Sequence, residues 1–154
     1  MNGHSILMVD DDTDFIYELS SALRDAGYLV FEASDREHAR EFLRENKPDV
    51  VLLDKRLPDG DGQDMIGSFR ALAPETRFII VTAYCDAESA VRGYKDGIDM
   101  YLTKPTSPDE VLTAVKTLIS KKEEQKNEKE YIASVAHELL NPLSIIKESM
   151  EITS

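Results

Sequence analysis

Five short runs of β-branched and aliphatic residues recur along the first 105 residues, each parted from the next by a stretch with helical spacing. The runs are Ser5–Val9, Tyr28–Glu32, Val50–Leu53, Phe78–Val81 and Met100–Thr103. Between them, four apolar faces repeat with a period near 3.6: Phe15, Leu19, Ala22 and Leu23; Ala39, Phe42 and Leu43; Met65, Ile66, Phe69 and Leu72; and Ala87, Ala90, Val91 and Tyr94. Turn residues separate the elements at Ala26-Gly27, Lys47-Pro48, Pro58-Asp59-Gly60, Ala73-Pro74 and Asp96-Gly97. Strands alternating with helices predict βαβ units on a parallel sheet. The unbroken apolar runs of the third and fourth strands suit burial on both faces.

A last helix starts sharply. Ser107 is a good N-cap, Pro108 suits the first helical position, and Glu110 completes a capping box. Apolar residues continue at Val111, Val115 and Leu118, then Lys121–Glu130 carries eight charged residues in ten. The stripe resumes at Ile132, Ala136, Leu139, Leu143, Ile146 and Met150 without losing register. The spacing predicts one long helix over 108–153, pairing with a second copy as a parallel coiled-coil homodimer. The expected division is a domain over 1–120 and a charged helical segment over 121–154.

Charge bears on partners. Lys plus Arg is 18 against 30 Asp plus Glu, a net charge of −12. Such a surface repels nucleic-acid phosphates and anionic lipid, so neither is an expected partner. The longest apolar runs are too short to span a bilayer. The start, Met1-Asn2-Gly3-His4, has no signal-peptide pattern, and the single cysteine, Cys85, can form no internal disulfide. The expected location is the cytoplasm.

Functional groups of a parallel α/β sheet gather at the carboxyl ends of its strands. Strand one ends in Asp10-Asp11-Asp12, strand three in Asp54, strand four in Thr82-Ala83 and strand five in Lys104-Pro105. Carboxylates crowded at one edge can stay ionised together only with a cation present. An all-oxygen cluster favours Mg²⁺ or Mn²⁺. Lys104 and Thr82 suit phosphoryl oxygens, so the set has the parts of a phosphoryl-transfer site.

These residues carry a resemblance. Ile6 through Asp12, Leu52 through Gly62 (with Asp54 near its start), Val81-Thr82-Ala83 and Tyr101 through Pro105 resemble the receiver domain of two-component response regulators. The resemblance implies a flavodoxin-like (βα)5 fold with a five-stranded parallel sheet in the order 2-1-3-4-5. It implies that Asp54 is the phosphoacceptor, and that Asp10 and Asp11 hold the metal with Asp54 and the backbone carbonyl of Arg56. Thr82 and Lys104 would bind the phosphoryl group, and Tyr101 would turn inward when Thr82 moves. A cis bond before Pro105 is also implied. Leu57, where the family more often has Met, is a small departure.

A second stretch, Ala136-His137-Glu138-Leu139-Leu140-Asn141-Pro142, resembles the phosphoacceptor box of sensor histidine kinases. It implies that His137 accepts phosphate and that Glu138 assists as acid or base. The chain stops at Ser154, inside that helix. The expectation is therefore the N-terminal part of a hybrid histidine kinase, its receiver regulating an attached dimeric kinase. The phosphodonor would be a histidine kinase or a phosphotransfer protein. The alternative is a stand-alone response regulator with a dimerising tail and an idle His137. A remoter alternative is an aspartate-nucleophile phosphatase, with Asp10 attacking and Asp12 as acid; Asp14 stands where that family has a hydroxyl or Val.

Overall fold

The structure, a computed structural model, describes residues 3–83 and 86–140, with side chains up to Ala136. It divides into two compact units, Met1–Ile119 and Ser120–Ser154. In the first unit, besides a short antiparallel pair of Arg56–Leu57 with Gly60–Asp61, the main sheet holds β1 (Ser5–Val9), β2 (Leu29–Ala33), β3 (Val50–Leu53), β4 (Arg77–Thr82) and β5 (Met100–Thr103). All neighbouring pairs of the main sheet are parallel, and its strand order is 2-1-3-4-5, the flavodoxin-like order that the resemblance implied.

Alternate strand residues face opposite layers, which explains why β1, β3 and β4 read as unbroken apolar runs. Ile6, Met8, Leu52, Ile79 and Val81 pack with α1 (Thr13–Asp25) and with the first turns of the last helix. Leu7, Val9, Val51, Leu53, Phe78 and Ile80 pack with α2 (Arg36–Glu45) and α3 (Ile66–Leu72). Each fully buried aliphatic or aromatic side chain among them contributes roughly 1.5–3 kcal/mol. This central sheet is the rigid base of everything at its carboxyl edge.

The limits of two strands differ from the sequence expectation. Tyr28 is buried, but its N–H donates to the Leu23 carbonyl and closes α1, so β2 begins at Leu29. β4 extends to Arg77 and Thr82, because backbone pairing continues past the apolar residues that mark the core. A larger difference concerns α4 (Ala87–Asp96). Its expected apolar face is not in the core: Val91 and Tyr94 are 56% and 51% exposed. The buried residue of that helix is Gly93.

Aspartates cap most of these helices. Asp12, Asp35 and Asp86 accept from the backbone N–H of Phe15, His38 and Ser89 at the starts of α1, α2 and α4. The last helix, α5, is assigned over Pro108–Leu140. It opens on the expected capping box: Glu110 N–H donates to Ser107 Oγ at 3.2 Å, and Ser107 N–H donates back to Glu110 Oε1 at 2.9 Å. Val111, Val115 and Leu118 are buried on the sheet. In the second unit, Tyr131 and Ile132 are exposed. Leu143, Ile146 and Met150, the later positions of the expected seam, lie outside the described residues, as does Cys85. Among the described residues no helix is long and apolar enough to cross a membrane.

Candidate functional site

The Asp triplet after β1 divides its work by position. Asp10 is the first residue past the strand, and its own N–H donates to the Ala33 carbonyl of β2, which fixes it over the sheet edge. It is buried. Asp11 is exposed. Asp12 turns away to cap α1, but its N–H donates to Asp10 Oδ1 at 2.9 Å and orients that carboxylate. Asp54 follows β3, and its N–H donates to the Val9 carbonyl at 2.9 Å, so the ends of β1 and β3 are tied side by side. The Arg56 N–H donates to Asp54 Oδ1 at 3.2 Å.

Carboxylate oxygens of Asp10, Asp11 and Asp54 all lie within 4.8 Å of one another. Opposite them stands one ammonium. Lys104 Nζ donates to Asp10 Oδ2 at 2.8 Å and reaches Asp54 Oδ2 at 3.5 Å. It also sits over the Phe15 ring, 4.3 Å from the centroid. Lys104 is held in place by its own N–H, which donates to the Thr82 carbonyl, and the Lys104–Pro105 bond is cis. Thr82 is fully buried at the end of β4.

Burial pushes the Asp10 carboxyl above the usual carboxylate range, more than its bonds to Lys104 and Asp12 pull it down. Burial presses Lys104 downward, but the hydrogen bond and charge of Asp10, with the charge of Asp54, outweigh it and hold the ammonium above its ordinary value. Lys104 thus contacts two of three clustered carboxylates, Asp10 and Asp54, and leaves negative charge at this edge. A divalent ion would correct it, and the donors are all oxygen, so the residues fit Mg²⁺ or Mn²⁺. The cluster has the make-up of a receiver's divalent-cation site.

Two contributors escape sequence reasoning. Gly62 approaches the Asp54 carbonyl so closely that a Cβ there would lie 2.2 Å from that oxygen. Its signal was the glycine of Asp61-Gly62 just before a helix. Gln63, buried beside it, accepts from the Tyr101 hydroxyl at 2.6 Å. A lone amide ahead of an apolar helix face carries no warning of that role. Tyr101 is half-buried on β5. Asp10, Asp11, Asp54, Thr82 and Lys104 thus stand at one sheet edge, with Arg56 beside Asp54. His137 and Glu138 fall on α5 in the second unit, and their side chains lie outside the described residues.

A doubly wound parallel sheet with this acidic edge is a fold of the CheY-like kind. The solved CheY-like receiver domain from Methanospirillum hungatei superposes with a TM-score of 0.78 at 28% identity, covering 80% of this chain and 99% of that one. A Burkholderia pseudomallei response regulator, solved with a phosphorylated aspartic acid, calcium ion and citrate, gives 0.70 at 25% identity over 94% and 88%. The chain belongs to the response regulator receiver domain family, whose model matches residues 6–116.

Curated relatives include the alginate biosynthesis transcriptional regulatory protein AlgB of Pseudomonas aeruginosa, 38% identical over 114 residues, 73% of this chain and 25% of that protein. The DNA-binding transcriptional regulator NtrC of Proteus hauseri is 32% identical over 126 residues, 82% of this chain and 27% of that protein. The chain spans about a quarter of the length of both.

These relatives correct two expectations. The hybrid histidine kinase reading is overturned: the relatives are transcriptional regulators, not kinase fusions. Its basis was a short motif around His137, which a surface helix matches far more easily than a folded site. The kinase-only partner scheme goes with it, while the side chains of His137 and Glu138 lie outside the described residues. The exclusion of nucleic acid also fails, because a relative is a DNA-binding regulator by name. The net charge of −12 describes this chain's surface, while the relatives are much longer proteins.

Proposed function

We propose that the chain is a phosphorylation-dependent receiver that takes a phosphoryl group on Asp54 and governs a transcriptional output. The observation that carries this reading is the meeting of Asp10, Asp11 and Asp54 within 4.8 Å, with Lys104 Nζ at 2.8 and 3.5 Å from two of them. The transcriptional output is taken from the names of the relatives. We keep the division into a receiver over 1–120 and a helical segment over 121–154. The single cysteine suits a reducing compartment such as the cytosol.

The chemistry follows from the positions of the groups. Asp10, Asp11, Asp54 and the Arg56 carbonyl would hold the metal, which when bound supplies charge neutralisation for phosphoryl oxygens. An oxygen of Asp54 attacks phosphorus and forms an acyl phosphate. The donor's bond to phosphorus breaks, and its leaving group keeps the electron pair. Lys104 neutralises the oxygens of the transferring group from above Asp10. The Thr82 hydroxyl, at the end of the neighbouring strand, donates to the new phosphoryl group. Its movement toward that group opens space next to β5, where Tyr101 stands, and so biases a two-state element.

The remote alternative, nucleophilic Asp10, is tested by the same experiment. After incubation with Mg²⁺ and acetyl phosphate, the acyl phosphate is trapped and mapped by peptide mass. The label is expected on Asp54 and absent in Asp54→Asn. Label on Asp10 would replace the receiver mechanism by the phosphatase one.

A further inference from the structure

The contacts beneath α4 have a use that the acidic site does not explain. Gln63 is 1% exposed, although its side chain is a polar amide. Its Nε2 donates to the Ser89 carbonyl in the first turns of α4 at 2.9 Å. Its Oε1 accepts from the Tyr101 hydroxyl at 2.6 Å. Its backbone N–H donates to Asp61 Oδ1 at 2.8 Å. One residue therefore grips a loop, a helix and a strand.

The loop is seated on the acidic site. Asp61 pairs with Lys55, and the Gly62 N–H donates to the Lys55 carbonyl at 2.7 Å. Gly62 has no room for a Cβ against the Asp54 carbonyl. Residues 61–63 thus lie directly on the backbone of Asp54 and Lys55. On the other side, a Cβ on Gly93 would meet Ile98 at 2.6 Å and both Gln63 Nε2 and Tyr101 at 3.2 Å. α4 rests on Ile98, Gln63 and Tyr101 at its one buried position. Its larger apolar residues, Val91 and Tyr94, stay about half exposed, the Tyr94 ring lying 6.4 Å from that of Tyr101. A helix held mainly by apolar packing would bury them.

We propose that Gln63 is a latch: its side-chain amide seats α4 and holds the Tyr101 hydroxyl, so that the position of α4 is tied to the state of the Asp54 backbone beneath residues 61–63. The latch stands on these contacts. Its link to phosphorylation rests on the reading of Asp54 given above. A buried amide with both ends bonded is directional, so it fixes one arrangement of its two neighbours.

Amide hydrogen exchange over α4 tests it, with Gln63→Leu and Tyr101→Phe beside the wild type, each with and without beryllofluoride and Mg²⁺. In unloaded Gln63→Leu, α4 is expected to exchange at least about tenfold faster while α1 and α2 keep their protection. Loading should then change α4 little further, although it changes it clearly in the wild type. Tyr101→Phe should move α4 in the same direction by about threefold, and it decides alone if Gln63→Leu does not fold. Exchange of α4 within about twofold of wild type, slower exchange, or a loss spread evenly over α1, α2 and α4 would overturn the latch. If wild type takes up no beryllofluoride, the Asp54 reading fails instead, and the unloaded comparison still decides the latch.

Discussion

Lys104 Nζ donates to Asp10 Oδ2 at 2.8 Å, although the two residues stand 94 positions apart. The strand order places β3 and β4 between β1 and β5, so the lysine reaches over the ends of both. On the way it passes Asp54 at 3.5 Å. The site thus exists only when the whole sheet is assembled.

Replacing Lys104 by Met keeps most of the stem that covers Phe15 and removes the charge. Two buried carboxylates then lose their ammonium, which should lower stability by about 1–3 kcal/mol. Phosphoryl uptake from acetyl phosphate should fall by about a hundredfold, the cost of losing one preorganised charge at the transferring group. Urea denaturation and a rate measurement check the two halves separately. Lys104→Arg should not restore the rate, since a planar fork cannot occupy a point-charge position.

Gly62→Ala tests how tightly the loop lies on the acceptor. The added methyl would sit 2.2 Å from the Asp54 carbonyl oxygen, a backbone atom that cannot swing aside. Overpacking of this kind costs about 1–3 kcal/mol. The thermal midpoint should fall accordingly. Uptake at Asp54 should slow more than it does for Gly67→Ala, where nothing lies within 4 Å of the new methyl.

Most of this fold is legible in the sequence for a physical reason. Strands buried on both faces, such as Val50–Leu53, must be apolar throughout, and a capping box such as Ser107 with Glu110 marks its helix end chemically. The acidic site is legible too, because topology sends residues that follow successive parallel strands to one edge. α4 is not. Val91 and Tyr94 have helical spacing, but periodicity cannot say whether an apolar stripe faces the core, and here a glycine and a glutamine make the contact. Gln63 is invisible beforehand because an amide has no characteristic spacing. The kinase reading rested on a short motif around His137, and the transcriptional regulators among the relatives overturn it.

Acid should loosen three helix starts. Asp35 and Asp86 cap α2 and α4, and Glu110 closes the box of α5. Bonds from the backbone N–H groups of His38, Ser89 and Ser107 hold all three below their ordinary values of 3.8, 3.8 and 4.5. Folded values below unfolded ones mean that the stabilisation is present above pH 3.8–4.5 and is lost as pH falls through the lower folded values. The thermal midpoint should therefore decline on acidification from pH 5 to pH 3, in steps of about half a unit. A variant with Asp35→Asn, Asp86→Asn and Glu110→Gln keeps neutral caps and should decline less steeply. Equal slopes would remove this account of acid sensitivity.

The central claim is that three carboxylates meet so that a divalent ion can be held while one of them accepts a phosphoryl group. Its most direct test is the extent of Asp54 acyl phosphate formed from acetyl phosphate as Mg²⁺ is titrated. Uptake should be absent in chelator, should rise and saturate with Mg²⁺, and should need far more Mg²⁺ in Asp10→Asn. Full uptake at Asp54 in chelator, or none at saturating Mg²⁺, would contradict the claim.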